Sequence, residues 1–268
     1  SYRPELFASV DSRFSVGYRR YEADQVSVDT PAGAGPFTAA PLVIGPAFTH
    51  EILSADAHFV HARSGGHRLS WGLSYERAES PQAAIQANYD LFDPAVPYLG
   101  GVREFDDEAR RFIRDVRREV TGVYLQDDYR WHAWTVAAGL RHDEVSDIGG
   151  HASPKLAVTY RAEPRHAFKA VYGEAFQAPV MSRLYNQNNP ATQGNPDLRP
   201  ERIRTLSLSY LHDGPGRQAE ATLFFNRILD MTQRISAAGG ASTFANVGEQ
   251  ETAGLELSGA ARLGGGWN

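Results

Sequence analysis

Along most of the chain, apolar and polar residues alternate with a period of two, the spacing that sends successive side chains to opposite faces of a strand. Leu69, Trp71, Leu73 and Tyr75 alternate with Ser70, Gly72, Ser74 and Glu76, so one face is apolar and aromatic and the other small and polar. Phe14, Val16 and Tyr18 oppose Ser15, Gly17 and Arg19 in the same way, and Trp134, Val136, Ala138 and Leu140 oppose Thr135, Ala137, Gly139 and Arg141. Leu156, Val158 and Tyr160 oppose Lys155, Ala157, Thr159 and Arg161; Leu255, Leu257, Ala261 and Leu263 oppose Glu256, Ser258, Ala260 and Arg262. Helical periodicity is nearly absent, and the pattern predicts half-buried antiparallel strands.

The connections predict how those strands are joined. Short ones fall at Asp11 and Ser12, Ser64 to Gly66, His132 and Ala133, Ala162 to Arg165, His212 to Gly216, and Gly264 to Gly266. Between them lie long ones, Ala23 to His50, Ala78 to Arg117, Ser146 to His151, Gln177 to Pro200, and Ile235 to Thr243. Strict alternation of tight turns and long loops is the pattern of an all-β, transmembrane antiparallel up-and-down β-barrel. About eleven strands and the start of another are expected.

A soluble β-sandwich has the same alternation, so the placement of aromatics decides. Trp131, Trp134, Tyr160 and Tyr210 lie near short turns, whereas Tyr18, Tyr75 and Tyr172 lie towards long loops. Two belts of this kind match the two lipid–water interfaces, where an amphipathic ring is best placed. Composition removes other classes. Pro31 to Thr49 is the longest uncharged stretch, but Pro31, Pro36, Pro41 and Pro46 break it, so it reads as a loop and not a spanning helix. A net charge of −5 argues against a nucleic-acid partner. With no cysteine, disulfides and thiolate chemistry are excluded. Ser1 to Val10 lack the basic start and apolar run of an export signal.

Between Phe168 and Glu201 the chain reads FKAVYGEAFQAPVMSRLYNQNNPATQGNPDLRPE. This stretch resembles the barrel signature of TonB-dependent outer-membrane receptors. Tyr172, Gly173, Glu174, Ala175, Phe176, Ala178 and Pro179 match its first phrase, and Gly194, Asn195, Pro196, Leu198, Pro200 and Glu201 its second. HRLSWGLSYE, GVYLQDDYRW, SPKLAVTYR and NVGEQETAGLEL support the resemblance over most of the chain. Physically, Asn195 and Pro196 make a turn, Pro200 keeps its predecessor extended and Glu201 opens a strand, so these residues are expected to be scaffold.

The resemblance implies a barrel of about 22 strands, with a plug and a TonB-binding box ahead of it. Residues 1–268 are then expected to be part of one receptor barrel domain, with the plug and closing strands elsewhere and Trp267 and Asn268 beginning a further strand. It implies partners of outer-membrane lipid and lipopolysaccharide, a small-molecule ligand such as a metal chelate, and the TonB complex acting through the plug. Siderophore iron is the first ligand expected and cobalamin the second. Lumen-facing Arg141, Arg161, Glu256 and Arg262 would meet plug or solvent.

Catalytic chemistry finds little support. No G-x-S-x-G elbow, Walker loop or H-E-x-x-H helix occurs, so neither enzyme activity nor a cofactor is expected. His58 and His61, three apart on a strand, point to opposite faces, and the run Asp106, Asp107 and Glu108 reads as solvated charge. Binding is better served. Tyr89, Phe92, Tyr98 and Phe105 mix with Arg103, Arg110 and Arg111 in one long loop, offering stacking faces and guanidinium forks for aromatic or carboxylate chelates. Tyr185, Asn186 and Asn188 form a second polar tract, and basic residues around Arg110 to Arg118 are expected either to meet lipopolysaccharide phosphates or to pair with the loop's own acids. A passive porin or sugar channel, an outer-membrane hydrolase and a soluble sandwich are the competing readings.

Overall fold

The computed structural model describes residues 10–62, 65–111, 113, 116–189, 192–237 and 241–262, with backbone alone at 81–83. In chain order its strands are β1 (Val10–Asp24), β2 (Ser27–Thr30), β3 (Leu42–Ala62), β4 (His67–Tyr89), β5 (Tyr98–Phe105), β6 (Val116–Trp131) and β7 (Trp134–Val145). They continue as β8 (Gly149–Glu163), β9 (His166–Gln177), β10 (Glu201–Gly214), β11 (Arg217–Leu229), β12 (Thr232–Ser236), β13 (Ser242–Asn246) and β14 (Gln250–Ala261); α1 (Met181–Tyr185) is a single helical turn. One antiparallel sheet follows the order β1-β3-β4-β6-β7-β8-β9-β10-β11-β14, with β2 and β5 attached to β3 and β4. Neighbours in the chain are neighbours in the sheet, as an up-and-down wall requires, and the described wall does not close on itself.

Local chemistry sets the tight ends. Trp131 and Trp134 pair across a two-residue turn in which His132 sits at φ 53°, and Gly216 at φ 69° follows Pro215 between β10 and β11. Both turns need a left-handed residue, which glycine supplies freely and histidine tolerates better than branched side chains.

The register carries each alternating segment onto one of two continuous faces. Leu73 pairs with Val123, Leu125 with Leu140, Leu156 with Tyr172, Tyr172 with Leu206, Leu206 with Phe225, and Leu223 with Leu255. This face has no second layer over it among the described residues: Leu125 and Leu140 are each 53% exposed and Leu255 57%. An apolar face of this extent, left uncovered in water, would drive association; in hydrocarbon it is solvated. The sandwich reading is thereby removed. The short-turn belt is one rung of paired rings, Trp131, Trp134, Tyr160, Phe168 and Tyr210. The buried core lies instead beyond the loop-side end of this face, where Ile85, Ala87 and Phe105 pack with Ile44, Leu91, Phe92 and Leu99.

Several boundaries differ from those expected. Asp11 and Ser12 form no turn but pair with Val60 and Phe59 inside β1. The stretches Ala23 to His50 and Ala78 to Arg117 are only partly loop, because β1, β3 and β4 run on past the apolar band and carry β2 and β5 at their edges. Pro46 is accommodated inside β3 between two ladders, β1 ending opposite Ala47 and β2 beginning opposite Ile44. Ser146 to His151 is no long loop, since β7 and β8 are joined by a tight turn, so strict alternation fails there. Ile235 and Thr243 lie in β12 and β13, a hairpin of its own. Ten strands lie on the continuous path of the described residues. The expected turns at Ser64 and at Gly264 to Gly266, together with Leu263, Trp267 and Asn268, lie wholly or partly outside the described residues, as does Ser1 to Ser9.

Candidate functional site

The face opposite the apolar one is small and polar, and close packing there depends on missing side chains. A Cβ at Gly122 would stand 2.3 Å from the Arg141 guanidinium and 2.5 Å from both Ser74 and Asp143, so glycine lets Arg141 lie flat on the wall. The guanidinium donates to Asp143 Oδ2 and Ser74 Oγ, each at 2.8 Å. Tyr124 covers Gly72 in the same manner, and its hydroxyl bonds His58 Nδ1. His61 falls on the other face, paired with Leu69. Among the described residues no group of three or more acidic, histidine or cysteine side chains is placed to hold a metal.

The rim beyond the apolar band holds the residues expected to bind ligand, and the structure divides them. Tyr89 and Phe105 are buried, at 1% and 5% exposure. The Tyr89 hydroxyl donates to the Ala40 carbonyl and accepts from the Ala40 N–H, each at 2.8 Å, so it fastens the end of β4 to the β2–β3 loop and offers no face to a ligand. Phe92 packs against Phe105, with ring centroids 5.6 Å apart. Arg110 sits 5.0 Å over the Phe105 ring and bonds Asp107 at 2.6 Å, while Arg111 bonds the Asp106 carbonyl. Tyr98 and Arg103 are exposed on β5. Arg114 lies outside the described residues.

The second tract works as a clasp. Tyr185 donates to Asp147 at 2.9 Å; Asn186 donates to the Thr192 carbonyl at 2.7 Å; Asn188 reaches the Glu108 and Arg111 carbonyls at 3.2 and 3.1 Å. Asn195 donates to the Phe244 carbonyl at 2.9 Å and caps its own turn by accepting from the Asp197 N–H. Glu201 accepts from the Thr232 N–H at 2.9 Å, Pro179 gives its carbonyl to Arg118, and Leu198 and Pro200 are buried. The Gly-Asn-Pro phrase therefore ties the β9–β10 loop to the β12–β13 hairpin. Tyr172, Glu174 and Arg204 form a chain on the wall, Tyr172 bonding Glu174 and Glu174 bonding Arg204 at 3.2 Å; Gly173 pairs with Thr205, and the Phe176 ring meets His151 at 4.5 Å. A Cβ at Gly194 would come within 2.6 Å of the Asn186 nitrogen and the Leu184 oxygen, both backbone. Gly194→Ala is accordingly expected to lose about 1–3 kcal/mol of local stability, read as faster amide exchange between 181 and 198 in the full-length protein while the wall strands keep their protection.

On the outward face the apolar band ends at a charged collar. Arg20 meets Glu51 at 3.4 Å, Arg117 meets Glu79 at 3.6 Å, and Arg227 meets Glu251 at 3.5 Å. The hydrogen bond from Arg117, with a second from Tyr75, holds the Glu119 carboxyl below the usual range, and the hydrogen bond to Glu22 raises Arg20. These groups are solvent-exposed, so the pairs add little stability. Their place is informative, because Tyr18 and Tyr75 lie one outward position below Arg20 and Arg77, where an interfacial belt meets headgroups.

An open-ended antiparallel wall, apolar outside, polar inside and looped at one end, defines a section of a transmembrane β-barrel of outer-membrane type. The TonB dependent receptor-like, beta-barrel family matches residues 2–268, and the chain belongs to that family. Vitamin B12 transporter BtuB of Vibrio cholerae is 30% identical over 126 residues, 46% of this chain and 20% of the relative. The iron-regulated outer membrane virulence protein of Vibrio cholerae is 28% identical over 154 residues, 50% of this chain and 24% of the relative. The chain thus matches only a fraction of the length of these relatives. Among solved structures, copper transporter OprC superposes with a TM-score of 0.69 at 15% identity, covering 97% of this chain and 42% of that one. The siderophore receptor PirA from Pseudomonas aeruginosa superposes at 0.60 with 15% identity, covering 95% and 51%.

Proposed function

We propose that the chain forms part of the barrel of an outer-membrane receptor for TonB-energised uptake of a scarce nutrient carried as a metal chelate, with a ferric siderophore as the first ligand and cobalamin the second. The observation that carries this reading is a wall with a polar inner face and a rim of loops clipped to one another, in a chain of the TonB-dependent receptor family. Names of relatives support the ligand class, since they include transporters of vitamin B12 and copper and a siderophore receptor. A plug carried elsewhere in the protein would rest against Arg141, Arg161 and Glu256 and respond to TonB. Exposed Tyr98 and Arg103 are the first candidates for ligand contact, followed by Phe92, Arg110 and Arg111; Tyr89, Phe105, Tyr185, Asn186 and Asn188 shape the loops that hold them. Lipopolysaccharide would pack against the outward collar, with Arg20, Arg117 and Arg227 facing its phosphates.

The test is uptake of labelled ferric siderophores and cobalamin by cells carrying the full-length gene, with and without a working TonB. Accumulation of one chelate that vanishes without TonB is expected. Uptake that is unchanged without TonB and not saturable would replace this reading by that of a passive channel.

A further inference from the structure

The inner face of the wall is not uniform in charge. On β4 to β7 both signs are interleaved: Asp128 pairs in register with Arg68 and stands next but one to Arg130, and Arg141 takes Asp143. On β8 and β9 the inner face carries Lys155, Arg161 and Lys169 and no carboxylate. The two acids of these strands belong elsewhere, since Glu174 bonds Arg204 on the outward face and Glu163, after a bulge, pairs with outward His166. Both lysines are exposed, and neither ammonium has a partner among the described residues.

Small neighbours leave both lysines standing clear of the wall. Lys155 is flanked in the ladders by Gly139 and Gly173, and Lys169 by Thr159 and Ser209. Asp213 lies opposite Arg165 at the β8–β9 turn, so that arginine is balanced and adds nothing to the strip. By strand spacing and rise, the nearest inner-face carboxylates, Asp128, Glu220 and Glu256, lie roughly 12 Å or more from either lysine along the sheet. At physiological salt the screening length is about 8 Å, so the strip keeps its sign. From Lys155 to Arg161 it covers about 20 Å of wall, behind outward Leu156, Val158 and Tyr160.

We infer that Lys155 and Lys169 form a track along the lumen for an anionic metal chelate, and that the nutrient carried is a net-negative complex, not a neutral one. The inference rests on the importer reading given above and selects between its two ligands. A narrow passage with low-dielectric walls focuses the field of unpaired charges and raises the local concentration of an oppositely charged solute. Cations held permanently against a fixed surface would each need a carboxylate to offset their desolvation; cations that stay wetted and meet an anion only in transit do not. Arg161, at the foot of the strip, meets the plug while the plug is seated and the anion once it is displaced.

Uptake by cells carrying the full-length gene tests it, with labelled ferric tricatecholate and ferric citrate as anionic probes and a neutral ferric trihydroxamate and cyanocobalamin as uncharged ones. TonB-dependent accumulation of an anionic probe is expected. Lys155→Gln combined with Lys169→Gln should lower its uptake rate at saturation about tenfold, with affinity at the cell surface unchanged, whereas Lys155→Arg combined with Lys169→Arg should keep the rate. Heat-modifiable gel mobility checks that each barrel folds; if the glutamine pair does not, either glutamine alone should lower the rate about threefold. TonB-dependent uptake of an uncharged probe only, an undiminished rate in the glutamine variants, or a rise in their entry of a large antibiotic, which would make the lysines anchors of the plug, would each overturn the track. Failure of the importer reading shows differently: the native protein would accumulate none of the four probes in a TonB-dependent way.

Discussion

Leu140→Arg is expected to destabilise the membrane-inserted protein by about 2–4 kcal/mol, whereas Gln126→Arg, on the adjacent strand and one rung away, should change stability by less than about 1 kcal/mol. The two positions differ in the face they occupy. Leu140 pairs with Leu125 and Pro154 on the outward face, 53% exposed with no protein above it. Gln126 pairs with Ser70 and Gly139 on the lumen face, where its amide already bonds Asp128 at 2.9 Å. An arginine at 140 must drag its guanidinium through hydrocarbon to an interface; at 126 it finds water and a carboxylate. Unfolding of the full-length protein from lipid vesicles in guanidinium measures both. Equal losses, or the larger loss at 126, would show that the faces are assigned the wrong way round.

That contrast rests on what was readable from residues alone. The segments from Leu69 to Glu76 and from Trp134 to Arg141 alternate without a break, and a ladder with period two transmits each parity to its neighbour, so the faces of the wall followed from them. The signature at Tyr172 to Glu201 gave the family for a related reason, since its turn chemistry is local. Strand ends were less legible. Pro46 and the glycines around it read as loop because a ladder gap that tolerates proline is a property of the pairing, and pairing is long-range. The Ser146 to His151 connection read as long because polar strand ends beyond the apolar band look like loop. Least legible were the clips between loops. Asn195 and Phe244 are 49 residues apart and Tyr185 and Asp147 are 38 apart, and nothing in either local sequence names its partner. Arg118 was expected among residues facing lipopolysaccharide, yet it is turned inward and nearly buried.

Asp147→Ala should therefore release the β9–β10 loop from the wall, at a local cost of about 3 kcal/mol. Asp147 occupies the tight β7–β8 turn and is held by a two-pronged contact, Arg118 Nε to Oδ1 at 2.8 Å and the terminal nitrogen to Oδ2 at 2.7 Å. Both side chains are close to buried, at 11% and 12% exposure, so deleting the acid strands a guanidinium that water reaches poorly. Arg118 also donates to the Pro179 carbonyl at 2.9 Å, and Tyr185 donates to Asp147 at 2.9 Å, so one acid joins β6, the β7–β8 turn and α1. A loss of that size is about two powers of ten in the opening equilibrium. Proteolysis of the full-length protein within 177–200 should then accelerate about a hundredfold, while heat-modifiable mobility of the barrel is unchanged. Tyr185→Phe removes one hydrogen bond without exposing a charge and should accelerate cleavage only about tenfold. Arg118→Met combined with Asp147→Leu removes both charges and should recover much of the loss, because the penalty lies in the unpaired ion. If the double replacement is as open as Asp147→Ala alone, the pair is not what fastens the loop.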